Sequence, residues 1–79
     1  MMVVKMQPVE VARIYRSEHQ TPPGGVVLLW GNTAYGWKNE LRDPAHERPG
    51  VLAVDAHGNV FQAEGGDDYN GAKVWAVVS

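Results

Sequence analysis

The chain has no cysteine. That excludes disulfides, thiolate metal ligands and cysteine nucleophiles together. A small domain without disulfides fits a reducing compartment, so a cytoplasmic setting is expected. Serine occurs only at Ser17 and Ser79, and no Gly-x-Ser-x-Gly elbow exists. No Gly-Lys-Ser/Thr and no Gly-x-Gly-x-x-Gly is present, so phosphate-loop and dinucleotide chemistry lack their fingerprints and no cofactor is expected. No stretch approaches the roughly 18 apolar residues that a spanning helix needs, and no apolar run of about seven residues follows Met1–Lys5, so neither a membrane segment nor a secretory leader is expected.

Clustered positive charge is also missing. The net charge is −2. Six basic against five acidic side chains give +1 over residues 1–49, whereas Lys73 alone against Asp55, Glu64, Asp67 and Asp68 gives −3 over residues 50–79. Binding to a phosphate backbone needs grouped Lys and Arg, so direct nucleic-acid binding is not expected.

What is present suits one small domain of 79 residues. Apolar residues make up 44%, and three Trp, three Tyr and one Phe supply large core pieces. Residues 1–7 read as an edge strand or a lead-in to a helix. Pro8 suits a first helical position. Val11, Ile14, Tyr15 and Glu18 then recur at helical spacing, with Ala12 widening the stripe and Arg13 and Arg16 on the other side. Thr21-Pro22-Pro23-Gly24-Gly25 ends the helix. Val26–Trp30 is a β-type run, Gly31-Asn32 a turn, and Thr33–Trp37 a returning strand. Lys38–Pro49 reads as a long surface loop with one helical turn near Asn39–Arg42. Strands follow at Gly50–Asp55, Val60–Glu64 and Lys73–Val78, separated by Ala56–Asn59 and Gly65–Gly71. Leu52, Val54, Phe61, Ala63, Trp75 and Val77 alternate and are expected on one sheet face.

The expected fold is therefore α+β, an N-terminal helix packed on a roughly five-stranded antiparallel sheet. The alternative is a small SH3-like β-barrel, should residues 9–18 form a strand.

Several candidate sites follow. The loop Gly65–Gly71, with Glu64, Asp67, Asp68 and Asn70, is rich in oxygen acceptors. As a calcium loop it fails: with Gly71 at position 6, Gly66 and Val77 fall where Asp and Glu are required. It reads either as a hairpin loop whose Asp and Asn bond their own backbone, or as an acidic binding epitope. His19, His46 and His57 lack metal-site spacing. His46 and His57 have carboxylates near in sequence, which is a thin basis for acid–base catalysis, and a catalytic role is not expected. Of the aromatic set Trp30, Tyr35, Trp37, Tyr69 and Trp75, most rings are expected in the core. Tyr35 and Tyr69, near turns, are the expected exposed ones, and Trp and Tyr are enriched in protein–protein hot spots. Arg42–Arg48, dense in both charge signs, reads as a docking loop or a solvated one. The partner-binding candidates are thus Asp55, Glu64, Asp67, Asp68, Tyr69 and Tyr35.

In its overall build and in the Glu64–Asp68 cluster with Asp55, the chain resembles the small orphan proteins of bacteriophages and mobile elements, among them anti-CRISPR inhibitors. The likeness is one of type and carries no residue over. It implies a protein partner, such as a CRISPR effector complex in a bacterial cytoplasm, whose nucleic-acid-binding surface an acidic face would occupy. The other class of function is a structural or accessory protein that self-associates as a homodimer through an unpaired edge strand, either Lys73–Val78 or residues 2–6.

Overall fold

The computed structural model describes residues 6–78. Helix α1 spans Pro8–His19 and is followed by β1 (Val26–Trp30), β2 (Thr33–Lys38), a 3₁₀ turn (Pro44–His46), β3 (Leu52–Asp55), β4 (Val60–Glu64) and β5 (Val74–Val77). All strand pairings are antiparallel, in the order β2-β1-β3-β4-β5. The expected α+β fold is the one observed. The sheet is open, with β2 and β5 at its edges, so the barrel alternative does not form. Among the described residues no helix is long and apolar enough to cross a membrane. Most of the proposed edge strand at residues 2–6 lies outside the described residues.

Pro8 occupies the first turn of α1, and Gln20 closes the helix in the left-handed region, φ 50°, its N–H donating to the Arg16 carbonyl. Ala12 is the helix residue buried against the sheet, flanked by half-buried Val11 and Tyr15. The buried stripe is rotated from the expected one: Ile14 and Glu18 are exposed, whereas Arg16 turns inward. The reason is hydrogen bonding. Its guanidinium donates to the carbonyls of Gly24 at 2.7 Å, Gly25 at 3.0 Å and Pro22 at 3.4 Å, so it holds the Pro-Gly connection that a purely apolar count cannot see.

Gly31 and Asn32, φ 58° and 65°, make the two-residue turn of the β1–β2 hairpin. Positive φ at both central positions matches the twist of the flanking strands. The chain then has to reach β3, which lies on the other side of β1. The segment 39–51 therefore crosses one face of the sheet, which is why it is long. Most of its residues are exposed, as expected of a surface loop, but Leu41 and, at its end, Val51 pack on that face with Val26, Leu28, Ala53, Ala63 and Ala72. Its helical turn lies at Pro44–His46, not near Asn39–Arg42, because Pro44 sits at the first position and the Asp43 carboxylate accepts from the Ala45 N–H at 2.9 Å.

The result is three layers: helix, sheet and crossing segment. Val27, Leu29, Val54 and Val60 face the helix side. Leu29, Val27, Val51 and Val54 are the largest fully buried side chains, each contributing about 1.5–3 kcal/mol. The expected single face of Leu52, Val54, Phe61, Ala63, Trp75 and Val77 is split. Leu52 and Val54 face the helix, while Phe61, Ala63 and Trp75 face the crossing segment. The pairing Ala53↔Phe61 and Leu52↔Gln62 sets this, because directly opposed residues share a face.

Candidate functional site

One irregularity in the β1–β2 ladder builds the most distinctive surface. The register shifts between Leu28, which pairs with Gly36, and Leu29, which pairs with Ala34. Tyr35 is the extra residue of a β-bulge, and a bulge re-aims a side chain. Its ring joins Trp30 and Thr33, a directly opposed pair, on the side of the crossing segment. His46, Glu47 and Arg48 complete the lining, with Val51 alongside. Between them lies an open groove of about 530 Å³. Trp30 is 42% exposed and Tyr35 49%. Trp30 also rests on Gly50, where a β-carbon would come within 3.1 Å of the indole.

The polar groups of the wall are fixed. One Glu47 carboxylate oxygen accepts the Tyr35 hydroxyl at 2.6 Å, and the other accepts Lys38 Nζ at 2.7 Å. The Glu47 side chain is only 9% exposed, and its backbone carbonyl accepts the Ala72 N–H at 2.8 Å. Burial, followed by the hydrogen bond to Glu47 and the Glu47 charge, pushes the Tyr35 hydroxyl well above its ordinary pKa. The Arg48 guanidinium lies 4.1 Å from the centre of the Trp30 ring and pairs with Asp68. The Gly65–Gly71 loop braces the wall from behind: a β-carbon on Gly71 would sit 2.1 Å from the Ala45 carbonyl oxygen.

The sequence-expected site residues divide. Tyr35 and Asp68 bond to adjacent residues of the wall, Tyr35 to Glu47 and Asp68 to Arg48. Tyr69 is 94% exposed at the tip of the neighbouring loop. Glu64 is exposed at the end of β4, beside that loop. Asp67 caps the loop, accepting the backbone N–H groups of Asn70 at 2.7 Å and Tyr69 at 3.0 Å and the Asn70 amide at 3.2 Å. The Asn70 bonds first, then the Tyr69 N–H and the Lys73 charge, hold its carboxyl below the usual range against slight desolvation. Asp55 stands apart, at the β3–β4 turn and so at the other end of β4 from Glu64. It accepts the His57 N–H and the Asn59 N–H, both at 2.9 Å, and the Asn59 amide at 3.0 Å. Desolvation raises its carboxyl, but these bonds outweigh it and the net displacement is downward.

Glu47 and Arg48 belong to the segment Arg42–Arg48 that reads as a docking or solvated loop, Lys38 was assigned to no site, and most of the aromatic set that includes Trp30 was expected in the core. The available signal was the density of charge in Arg42–Arg48. His46 reaches the groove, but both oxygens of its neighbour Glu47 are already bonded, and His57 lies at the distant turn. Among the described residues no cluster of His, Asp and Glu could hold a metal ion. What the arrangement offers is a rigid apolar concavity with a cation on its rim. No family model, no curated protein and no solved structure matches this chain.

Proposed function

We propose that this domain is a non-catalytic protein-binding module that receives an apolar side chain of a partner in the Trp30–Tyr35 groove. The observation that carries this reading is two large aromatic rings left half-exposed side by side over a wall whose polar groups are already paired. Exposed Trp and Tyr in a preformed concavity are the usual anchors of an interface, because they give large contact area for little ordering entropy. A groove of this volume, about 530 Å³, is within the range of small-molecule sites and accommodates one large side chain with part of its backbone.

The more specific form of this proposal is an inhibitor that occupies the nucleic-acid-binding surface of an effector complex, a CRISPR complex included. Its support is the second surface beside the groove: Glu64 at the end of β4 and Asp67 and Asp68 on the adjacent loop are exposed, with Tyr69 at the loop's tip. That tip suits a basic patch. Asp55 and Asp67 spend their acceptors on their own turns and Asp68 is paired with Arg48, so Glu64 carries most of the negative charge left for a partner.

The test is capture from nuclease-treated bacterial lysate. Wild type is compared with Trp30→Ala and Tyr35→Ala, and separately with Glu64→Lys and Asp68→Lys, all checked for an unchanged fold by circular dichroism. A stoichiometric partner lost by the aromatic variants supports the groove. Loss by the charge reversals as well supports the inhibitor form. A partner that every folded variant retains refutes both.

A further inference from the structure

The two edges of the sheet are not alike. The β2 edge is broken by the bulge at Tyr35–Gly36 and ends in Lys38, which are two of the devices that keep an edge from pairing with other chains. The β5 edge has neither. Its register against β4 is regular, and from Val74 to Val78 it holds no charged residue, no proline and no glycine. Val74, Val77 and Val78 are 53%, 71% and 48% exposed.

The hydrogen-bonding parity of β5 is also fixed. The Val78 N–H donates to the Val60 carbonyl at 2.8 Å, which belongs to the same register as Ala76↔Gln62 and Val74↔Glu64. In an antiparallel ladder bonded and non-bonded pairs alternate. Ala76 and Val78 therefore spend their backbone groups on β4, and Trp75 and Val77 turn theirs outward; at the start of the strand the Glu64 carbonyl accepts the Lys73 N–H at 2.8 Å. Outside the β4–β5 ladder, no backbone bond among the described residues involves the N–H or C=O of Trp75 or Val77.

We propose that β5 pairs with β5 of a second copy of this chain about a two-fold axis at Ala76, joining two sheets into one. Antiparallel partners must share a face, so the registers compatible with the pleat are few. Centring on Ala76 sets Trp75 opposite Val77 of the other copy and Val74 opposite Val78. Every opposed pair is then apolar, and an aromatic ring meets a β-branched side chain, a favourable cross-strand combination. The outward groups of Trp75 and Val77 satisfy one another in both directions, so the same short strand gives a closed, isologous contact. Lys73 stays outside the paired segment. The net charge of −2 per chain opposes the contact only weakly.

This inference is independent of the groove reading and bears on it. β2 and β5 are opposite edges, so the pairing leaves both grooves open at the far ends of the joined sheet. Two grooves on one particle give avidity for a repeated or dimeric partner. The contact is short, so the dimer is expected to be weak and concentration-dependent.

Sedimentation equilibrium of the full chain tests it. The chain mass is 8.7 kDa, and the apparent mass is expected to rise toward twice that at high micromolar concentration. Val77→Pro removes one outward N–H and no bond to β4, and Val77→Lys places a charge opposite Trp75 of the other copy; each is expected to keep the monomer fold and stay at the monomer mass. Backbone amides of Trp75 and Val77 are expected to gain protection from hydrogen exchange as concentration rises. A wild-type monomer throughout that range overturns the proposal. So does a dimer that persists in either folded variant. Protection of those two amides that does not depend on concentration also overturns it, since another part of the same chain would then cover the edge.

Discussion

Replacing Glu47 by alanine removes the group that ties β2 to the crossing segment, and its cost can be worked from the contacts. The Tyr35 hydroxyl donates to one carboxylate oxygen at 2.6 Å, and a hydrogen bond to a charged group is worth about 1.5–3 kcal/mol. Tyr35 is 49% exposed, so water recovers part of this and the low end, about 1.5 kcal/mol, applies. The Lys38 pair is 2.7 Å long with Lys38 31% exposed, and solvent screening limits it to about 1 kcal/mol. Together Glu47→Ala is expected to cost about 2–3 kcal/mol. For a domain of this size that lowers the melting temperature by about 10–20 °C. Urea denaturation of wild type, Glu47→Ala, Tyr35→Phe and the double variant isolates the shared term, and a coupling energy of about 1–1.5 kcal/mol is expected between the two sites. Glu47→Gln keeps an acceptor for Tyr35 and loses the charge facing Lys38, so its cost should be nearer ~1 kcal/mol. Coupling below about 0.3 kcal/mol would mean that the two substitutions act independently, and would refute the claim that Glu47 pins Tyr35 in the groove wall.

Two other predictions concern the loop behind the wall and the response to pH. Gly71 and Gly24 have the same φ, 86°, but a β-carbon on Gly71 meets the Ala45 carbonyl oxygen at 2.1 Å while one on Gly24 meets nothing within 4 Å. Gly24→Ala should therefore cost only the left-handed backbone strain, about 1–2 kcal/mol, and Gly71→Ala about 3 kcal/mol or more, as read by thermal denaturation. Equal costs would remove the close approach of the two loops. The folded-state pKa of Tyr35 lies above its ordinary value of 10.0; the stability this gives is present below pH 10 and is lost as pH rises above it. The advantage of wild type over Tyr35→Phe should shrink in alkali. Asp55 and Asp67 lie below their ordinary value of 3.8, so their contribution is present above that pH and lost as pH falls through it. Asp55→Asn and Asp67→Asn should each flatten the acid limb of the stability curve.

The helix and the five strands were legible because each rests on local signals: Pro8, the Pro-Pro-Gly-Gly stop, Gly31-Asn32, and apolar runs between turn residues. The turn role of Asp67 was legible for the same reason, since its partners lie within three residues in the chain; Asp55 reads from the sequence only as a partner-binding candidate, although its partners are equally local. The order of the strands was not. Nothing within β3 states that it joins β1 rather than β2, and that choice lays the mostly exposed segment 39–51 across one face of the sheet. The bulge at Tyr35 was hidden because Thr33-Ala34-Tyr35-Gly36-Trp37 reads as ordinary alternation, although a glycine inside a strand is a recognised mark of a bulge. Glu47 lies in the charged segment Arg42–Arg48, but its bonds were not legible because its partners are nine and twelve residues away, and only the folded register brings them together. Trp30 was misplaced in the core for a related reason. Leu29 and Trp30 are adjacent and apolar, yet one is fully buried and the other is 42% exposed, because it lies on the crossing-segment side at the end of β1.

The most direct measurement is the capture comparison between wild type and the Trp30 and Tyr35 variants, made on proteins whose circular dichroism shows the same fold. A nuclease-resistant, stoichiometric partner held by wild type and lost by Trp30→Ala and Tyr35→Ala is the predicted result. The same partner held equally by all three would contradict the assignment of the groove as the binding surface.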